Sequence, residues 1–141
     1  MKRKLSFLML LLIFCSTMFG QSHWTVNENT YNSTMNVTTY AEIYGELQNG
    51  ASADSLEIAA FCGNEVRGVA NIEYDTINLD YSAWMTIHGD TPNEIITFKL
   101  YDHDTKTEYE IFSNETIIFE TNDVVGTPFE PFHITFTIPH P

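Results

Sequence analysis

The chain is short of cysteine, of positive charge and of long apolar runs, and each shortage closes off a class of protein. It has 141 residues, with two cysteines and six Lys plus Arg against nineteen Asp plus Glu. Three of the six cations are Lys2, Arg3 and Lys4. They precede the one extended apolar run, Leu5 to Cys15, and a short exit, Ser16-Thr17-Met18-Phe19-Gly20-Gln21-Ser22. A basic start, an apolar middle and a small-residue exit read as a secretory signal peptide. The run is too short for a comfortable membrane span, although an uncleaved anchor is the alternative. Cleavage is expected after Gly20, with Ser22 as the second choice, and Cys15 follows the large Phe14, which does not suit lipidation. The expected organisation is a signal peptide over 1–20 and one domain over 21–141, secreted to the extracellular space, the cell surface or the periplasm.

The processed chain would keep only Cys62, so no intrachain disulfide can staple it despite an oxidising compartment. About 120 residues suffice for one packed core without staples. The three remaining cations, Arg67, Lys99 and Lys106, stand against nineteen acids and leave a formal charge of −16, compared with −13 for the whole chain. A surface of that sign repels nucleic acid and anionic lipid, so neither is an expected partner, and no membrane insertion is expected after cleavage.

Helical periodicity is also missing. Residues 34–47 alternate instead: Met35, Val37, Ala41, Ile43 and Leu47 point one way, Asn36, Thr38, Tyr40, Glu42, Tyr44 and Glu46 the other. A period of two over this length predicts a half-buried strand, ending at a reversal on Asn49-Gly50. Residues 55–62 and 65–74 form a predicted hairpin about Gly63-Asn64, and 78–88 a strand with Leu79, Tyr81, Ala83, Met85 and Ile87 on one face. Strands follow over 94–101, 108–112, 115–120 and 132–138, the last with Phe132, Ile134, Phe136 and Ile138 inward. Gly126, Pro128 and Pro131 make 122–131 irregular. The chain stops three residues after the last strand, and no appended tail is expected. Eight or nine strands with turn signals between them predict an all-β, antiparallel β-sandwich, immunoglobulin-like or jelly-roll-like.

Several landmarks run in one order: Trp24, Tyr31, Met35, Asn49-Gly50, the stretch Ala59-Ala60-Phe61-Cys62-Gly63-Asn64-Glu65-Val66-Arg67-Gly68-Val69-Ala70, then Ile96-Thr97-Phe98-Lys99-Leu100-Tyr101-Asp102, and Gly126 with Pro128 and Pro131. This order resembles a β-sandwich module that recurs, often in tandem, in secreted and surface proteins of Gram-negative bacteria. The resemblance covers nearly all of the chain after the leader. It implies an extracellular module without catalytic activity and supplies no ligand residues.

Motifs for chemistry are absent too. There is no Gly-x-Ser-x-Gly elbow, His-Glu-x-x-His, phosphate loop or Cys-x-x-Cys, so no enzyme is expected. Cys62 reads as a small buried hydrophobe. Histidines 23, 88, 103, 133 and 140 lack zinc spacing. Asp102, Asp104 and Glu108 place three carboxylates around one turn, a candidate calcium site without the EF-hand glycine; Thr107 stands there, and a solvated Asx turn is the alternative. No other cofactor is expected. Asn32, Asn36 and Asn114 begin N-glycosylation sequons, and Asp54-Ser55-Leu56 and Asp75-Thr76-Ile77 resemble bacterial O-glycosylation acceptors.

Arg67, two residues from Glu65, could fork onto a ligand carboxylate or pair with a neighbouring acid. Trp24 is expected to plug an end of the sandwich. The sharpest candidate is Trp84, which shares its strand face with Asp80, Ser82, Thr86 and His88. A large aromatic on a polar face forgoes a few kcal/mol of burial. With Tyr40 and Tyr44 on the polar face of their own strand, Trp84 would form a stacking platform for sugars, His88 and Arg67 supplying polar contacts. The expected function is a binding module for a glycan, with a surface-protein partner as the alternative.

Overall fold

The computed structural model describes residues 21–112 and 115–139. The expected signal peptide over 1–20, Asn114 and His140 lie outside them. The described chain is all-β and contains no α-helix, only short 3-10 turns at Glu28–Thr30 and Ala51–Ser55. No helix among the described residues is long and apolar enough to cross a membrane. The strands are β1 (Ser33–Ile43), β2 (Glu46–Leu47), β3 (Leu56–Cys62), β4 (Glu65–Asn71), β5 (Glu73–Asp75), β6 (Asp80–Gly89), β7 (Ile95–Asp102), β8 (Thr107–Ile111), β9 (Ile117–Ile118), β10 (Val124–Val125) and β11 (Phe132–Thr137).

Eight strands follow one path, β4-β3-β7-β8-β11-β1-β6-β5, while β2 and β10 pair with β1 and β9 pairs with β7. The sheet is mixed, not antiparallel as the alternation suggested, because β1 runs parallel to both β11 and β10. Period two tells which face a residue takes and is silent about the direction of the neighbouring strand. The sheet curls until β4 meets β6, giving a nearly barrel-shaped body.

Two features close that meeting line. Gly68 on β4 lies so near β6 that an added Cβ would stand 2.6 Å from the Thr86 carbonyl oxygen and 3.1 Å from the Met85 side chain. Beside it, Arg67 donates from Nη1 to the His88 carbonyl at 3.3 Å. The line is held by backbone packing and an arginine staple.

The core takes the apolar face that alternation assigns. Met35, Val37 and Ala41 on β1, Ala83, Met85 and Ile87 on β6, and Ile96, Phe98 and Leu100 on β7 are buried, and Ile134 and Phe136 on β11 meet them. Thr39 shares the inward row of β1 and satisfies its hydroxyl by donating to the Phe132 carbonyl at 2.6 Å.

The predicted long strand over 34–47 breaks earlier than expected. Tyr44 and Gly45 both have positive φ, 53° and 81°. Two such residues in succession make a tight hairpin turn whose twist suits antiparallel strands, and β2 folds straight back on β1. Gly50, expected to supply the positive φ, has φ −111° and is extended. Tyr44 and Leu47 are consequently exposed, and Leu79 and Ile138, expected inward, lie just outside β6 and β11 and are exposed too.

The segment that begins at Gln21 adds an outer layer. Glu57 on β3 is fully buried, and its carboxylate accepts the backbone N–H of His23 at 2.9 and 3.0 Å and that of Trp24 at 3.0 Å. His23 stacks on Tyr101 with ring centroids 3.6 Å apart, and Trp24 meets Phe61 edge to face at 5.7 Å. Trp24 therefore does not plug an end; it covers the outside of β3, the strand whose two faces are both buried.

Candidate functional site

The outward faces of β1, β6 and β5 form one continuous surface. Register places Thr34 opposite His88, Asn36 opposite Thr86 and Thr38 opposite Trp84. On the far side of β6, Glu73 pairs with Ser82 and Asp75 with Asp80. Cross-strand partners share a face, so Trp84 stands amid Thr38, Thr86, Ser82 and Glu73.

The Trp84 side chain is 61% exposed. Its ring is nevertheless oriented: Nε1 donates to the Ser82 hydroxyl at 3.2 Å, and Ser82 itself is buried. Beside the ring lies a shallow hollow of about 220 Å³ lined by Glu73, Tyr74, Asp75, Thr76, Ser82 and Trp84. The Glu73 side chain makes no hydrogen bond or ion pair among the described residues, whereas Asp75 accepts from the backbone N–H of Ile77 at 2.8 Å and from Asn78. Those bonds, led by the one from Ile77, hold the Asp75 carboxyl below the usual carboxylate range. They also fix the β5–β6 turn that brings Glu73 beside Trp84.

Tyr40 lies on the same face, along β1 from Thr38. Its hydroxyl donates to Asp80 Oδ2, and its ring meets His133 edge to face at 5.1 Å. The bond to Asp80 pushes the phenol up to about 12, with burial adding to it. Asp80 Oδ1 is buried without a partner among the described residues.

The other sequence candidates fall elsewhere. Tyr44 sits in the hairpin turn beyond β1, where it lines a separate hollow of about 440 Å³ with Gly45, Phe112 and Thr135. His88 shares the outward row of β6 but stands near the end of the strand, four residues from Trp84. Arg67 is occupied within the fold: its side chain is 7% exposed, forks onto Glu94 at 2.6 and 3.2 Å, contacts Glu65 at 3.1 Å and lies over the Tyr31 ring at 4.4 Å. Burial works against its charge, but the Glu94 carboxylate more than offsets this and the guanidinium is held protonated even more firmly than usual. The platform thus reduces to Trp84 with Tyr40 as neighbour.

The three carboxylates considered for calcium are not gathered. Asp102 Oδ1 accepts from Ser55 at 2.9 Å and from the backbone N–H of Asp104 at 2.9 Å, an Asx turn. Glu108 instead takes Lys99 at 3.1 Å and His23 at 3.3 Å. Among the described residues no cluster of three or more His, Cys, Asp or Glu could hold a metal. The Cys62 thiol packs against the core, 3.5 Å from Glu94, and burial pushes it up, away from the thiolate.

Sequence reasoning missed Glu73 and Asp75 at the platform and Glu57 beneath the N-terminal segment. The first two were legible in principle, since Asp75 and Asn78 flank a turn tight enough to pair 73–75 with 80–82. A single acid in an apolar strand, as at Glu57, gave no hint of what would satisfy it.

Compared with family models, curated proteins and solved structures, the chain finds no match.

Proposed function

We propose that the chain is a non-catalytic extracellular or cell-surface module that binds a glycan, with the Trp84 ring as its stacking surface. One observation carries the reading: an indole held by its own N–H bond stands exposed beside a polar hollow. An oriented ring loses little conformational freedom on binding and offers an apolar plane to the C–H face of a sugar, while Glu73, Thr76 and Thr38 supply partners for hydroxyls. The secretory leader and the resemblance to a recurrent surface module support the compartment. The finer architecture expected from the sequence, a β-sandwich, is part of the same reading, which the all-β character of the chain supports.

A second reading rests on Tyr44 and Phe112, which are exposed at 62% and 71% around one hollow and suit a protein partner at the cell surface. A polysaccharide array separates the two. The glycan reading expects array binding that Trp84→Ala abolishes and Tyr44→Ala spares. Array silence with capture of a surface protein that Tyr44→Ala abolishes would favour the second.

A further inference from the structure

We infer that the glycan taken at Trp84 carries free amino groups; this rests on the glycan reading above and adds the charge class of the sugar. Apart from the imidazoles of His88 and His133 farther along the face, the charged groups around the ring are carboxylates. Glu73 and Asp75 line the hollow, and Asp80 stands across from Asp75 in register. Asp80 does not line the hollow; it accepts from the Tyr40 hydroxyl through Oδ2, while its buried Oδ1 has no partner among the described residues. No lysine or arginine occurs on β1, β5, β6 or β11. Arg67 is consumed by Glu94 and Glu65, and Lys99 by Glu108.

A uronic or sulfated sugar would meet these carboxylates as a like charge. A neutral sugar can donate its hydroxyls to Glu73 but brings no charge to match the carboxylates. An ammonium group satisfies both halves of the site: it donates to Glu73, and a cation near an indole face is attracted by the ring. The exposed position means water screens the attraction, so the charge sets selectivity and the ring supplies the contact area.

The test uses two oligomers with one backbone, β-1,4-linked glucosamine and its fully N-acetylated counterpart, titrated into the chain over residues 21–141 at about pH 5.5, where a sugar amine is protonated. The amine form is expected to bind about tenfold more tightly, the margin by which a charge-assisted bond exceeds a neutral one. That margin should shrink as salt is raised. Glu73→Gln should weaken amine binding about two- to fivefold and flatten its salt dependence. Equal or tighter binding of the acetylated oligomer overturns this inference and leaves the glycan reading standing. Binding that Trp84→Ala does not weaken, or no binding of either oligomer with a silent array, overturns both. Displacement of the amine oligomer by poly-lysine at equal charge concentration also overturns the inference, because the site would then recognise cations irrespective of the sugar.

Discussion

Replacing Glu94 by Gln should cost about 3 kcal/mol at neutral pH, and most of that cost should vanish in acid. Glu94 and Arg67 form a two-bond fork, with side chains 17% and 7% exposed. The Arg67 bond is the main cause that lowers the Glu94 carboxyl from the ordinary 4.5 to about 2; burial opposes it, and the backbone N–H groups of Thr91 and Asp90 assist. A fall of that size corresponds to about 3 kcal/mol of stability. The sign follows from the depressed value: the contribution is complete above the unfolded carboxyl's range and is lost as pH falls from about 4.5 toward 2. Gln keeps the shape and the acceptor oxygen but leaves the guanidinium with Glu65, which is 65% exposed and weakened by water. Breaking one side of a buried pair typically costs about 3–5 kcal/mol, so two routes agree. Urea unfolding of both proteins at pH 7 and pH 3 measures it. A loss below about 1 kcal/mol at pH 7, or a loss undiminished at pH 3, would refute the reasoning.

Three other substitutions probe separate parts of the account. Tyr40→Phe removes the donor to Asp80 and should cost about 1 kcal/mol; in ultraviolet titration, the phenol that ionises near 12 should disappear. The Tyr40 value is raised, so its contribution should be complete below about 10 and lost as pH rises through about 12. Gly68→Ala drives a methyl against the Thr86 carbonyl across the β4–β6 line and should cost about 1–3 kcal/mol by thermal melting. Glu57→Gln weakens the anchor of the N-terminal segment; in a Trp84→Phe background, Trp24 fluorescence should shift to the red and quench more readily with acrylamide.

Legibility in the sequence followed the physics of each signal. Alternation located β1, β6, β7 and β11 and their buried rows, because burial on one face writes itself into every second residue. The parallel pairing of β1 with β11 and the closure at Gly68 were not legible, since neighbours far apart in the chain leave no periodic mark. The turn at Tyr44-Gly45 was overlooked because Asn49-Gly50 carried the stronger signal, and tyrosine at positive φ is an uncommon choice. At the site, Trp84 was read correctly as facing outward, because its polar neighbours implied it. Arg67 was read both ways, and the deciding partner, Glu94, lies 27 residues away.

The central claim is that the Trp84 indole is an exposed recognition surface that the fold can do without. The most direct measurement pairs a polysaccharide array with thermal melting for the native protein and Trp84→Ala. The account predicts array binding by the native protein, its loss in the variant and melting midpoints that agree within about 2 °C, as expected for a surface substitution. A variant that melts many degrees lower would contradict it by showing the ring to be structural. So would a variant that binds the array as the native protein does.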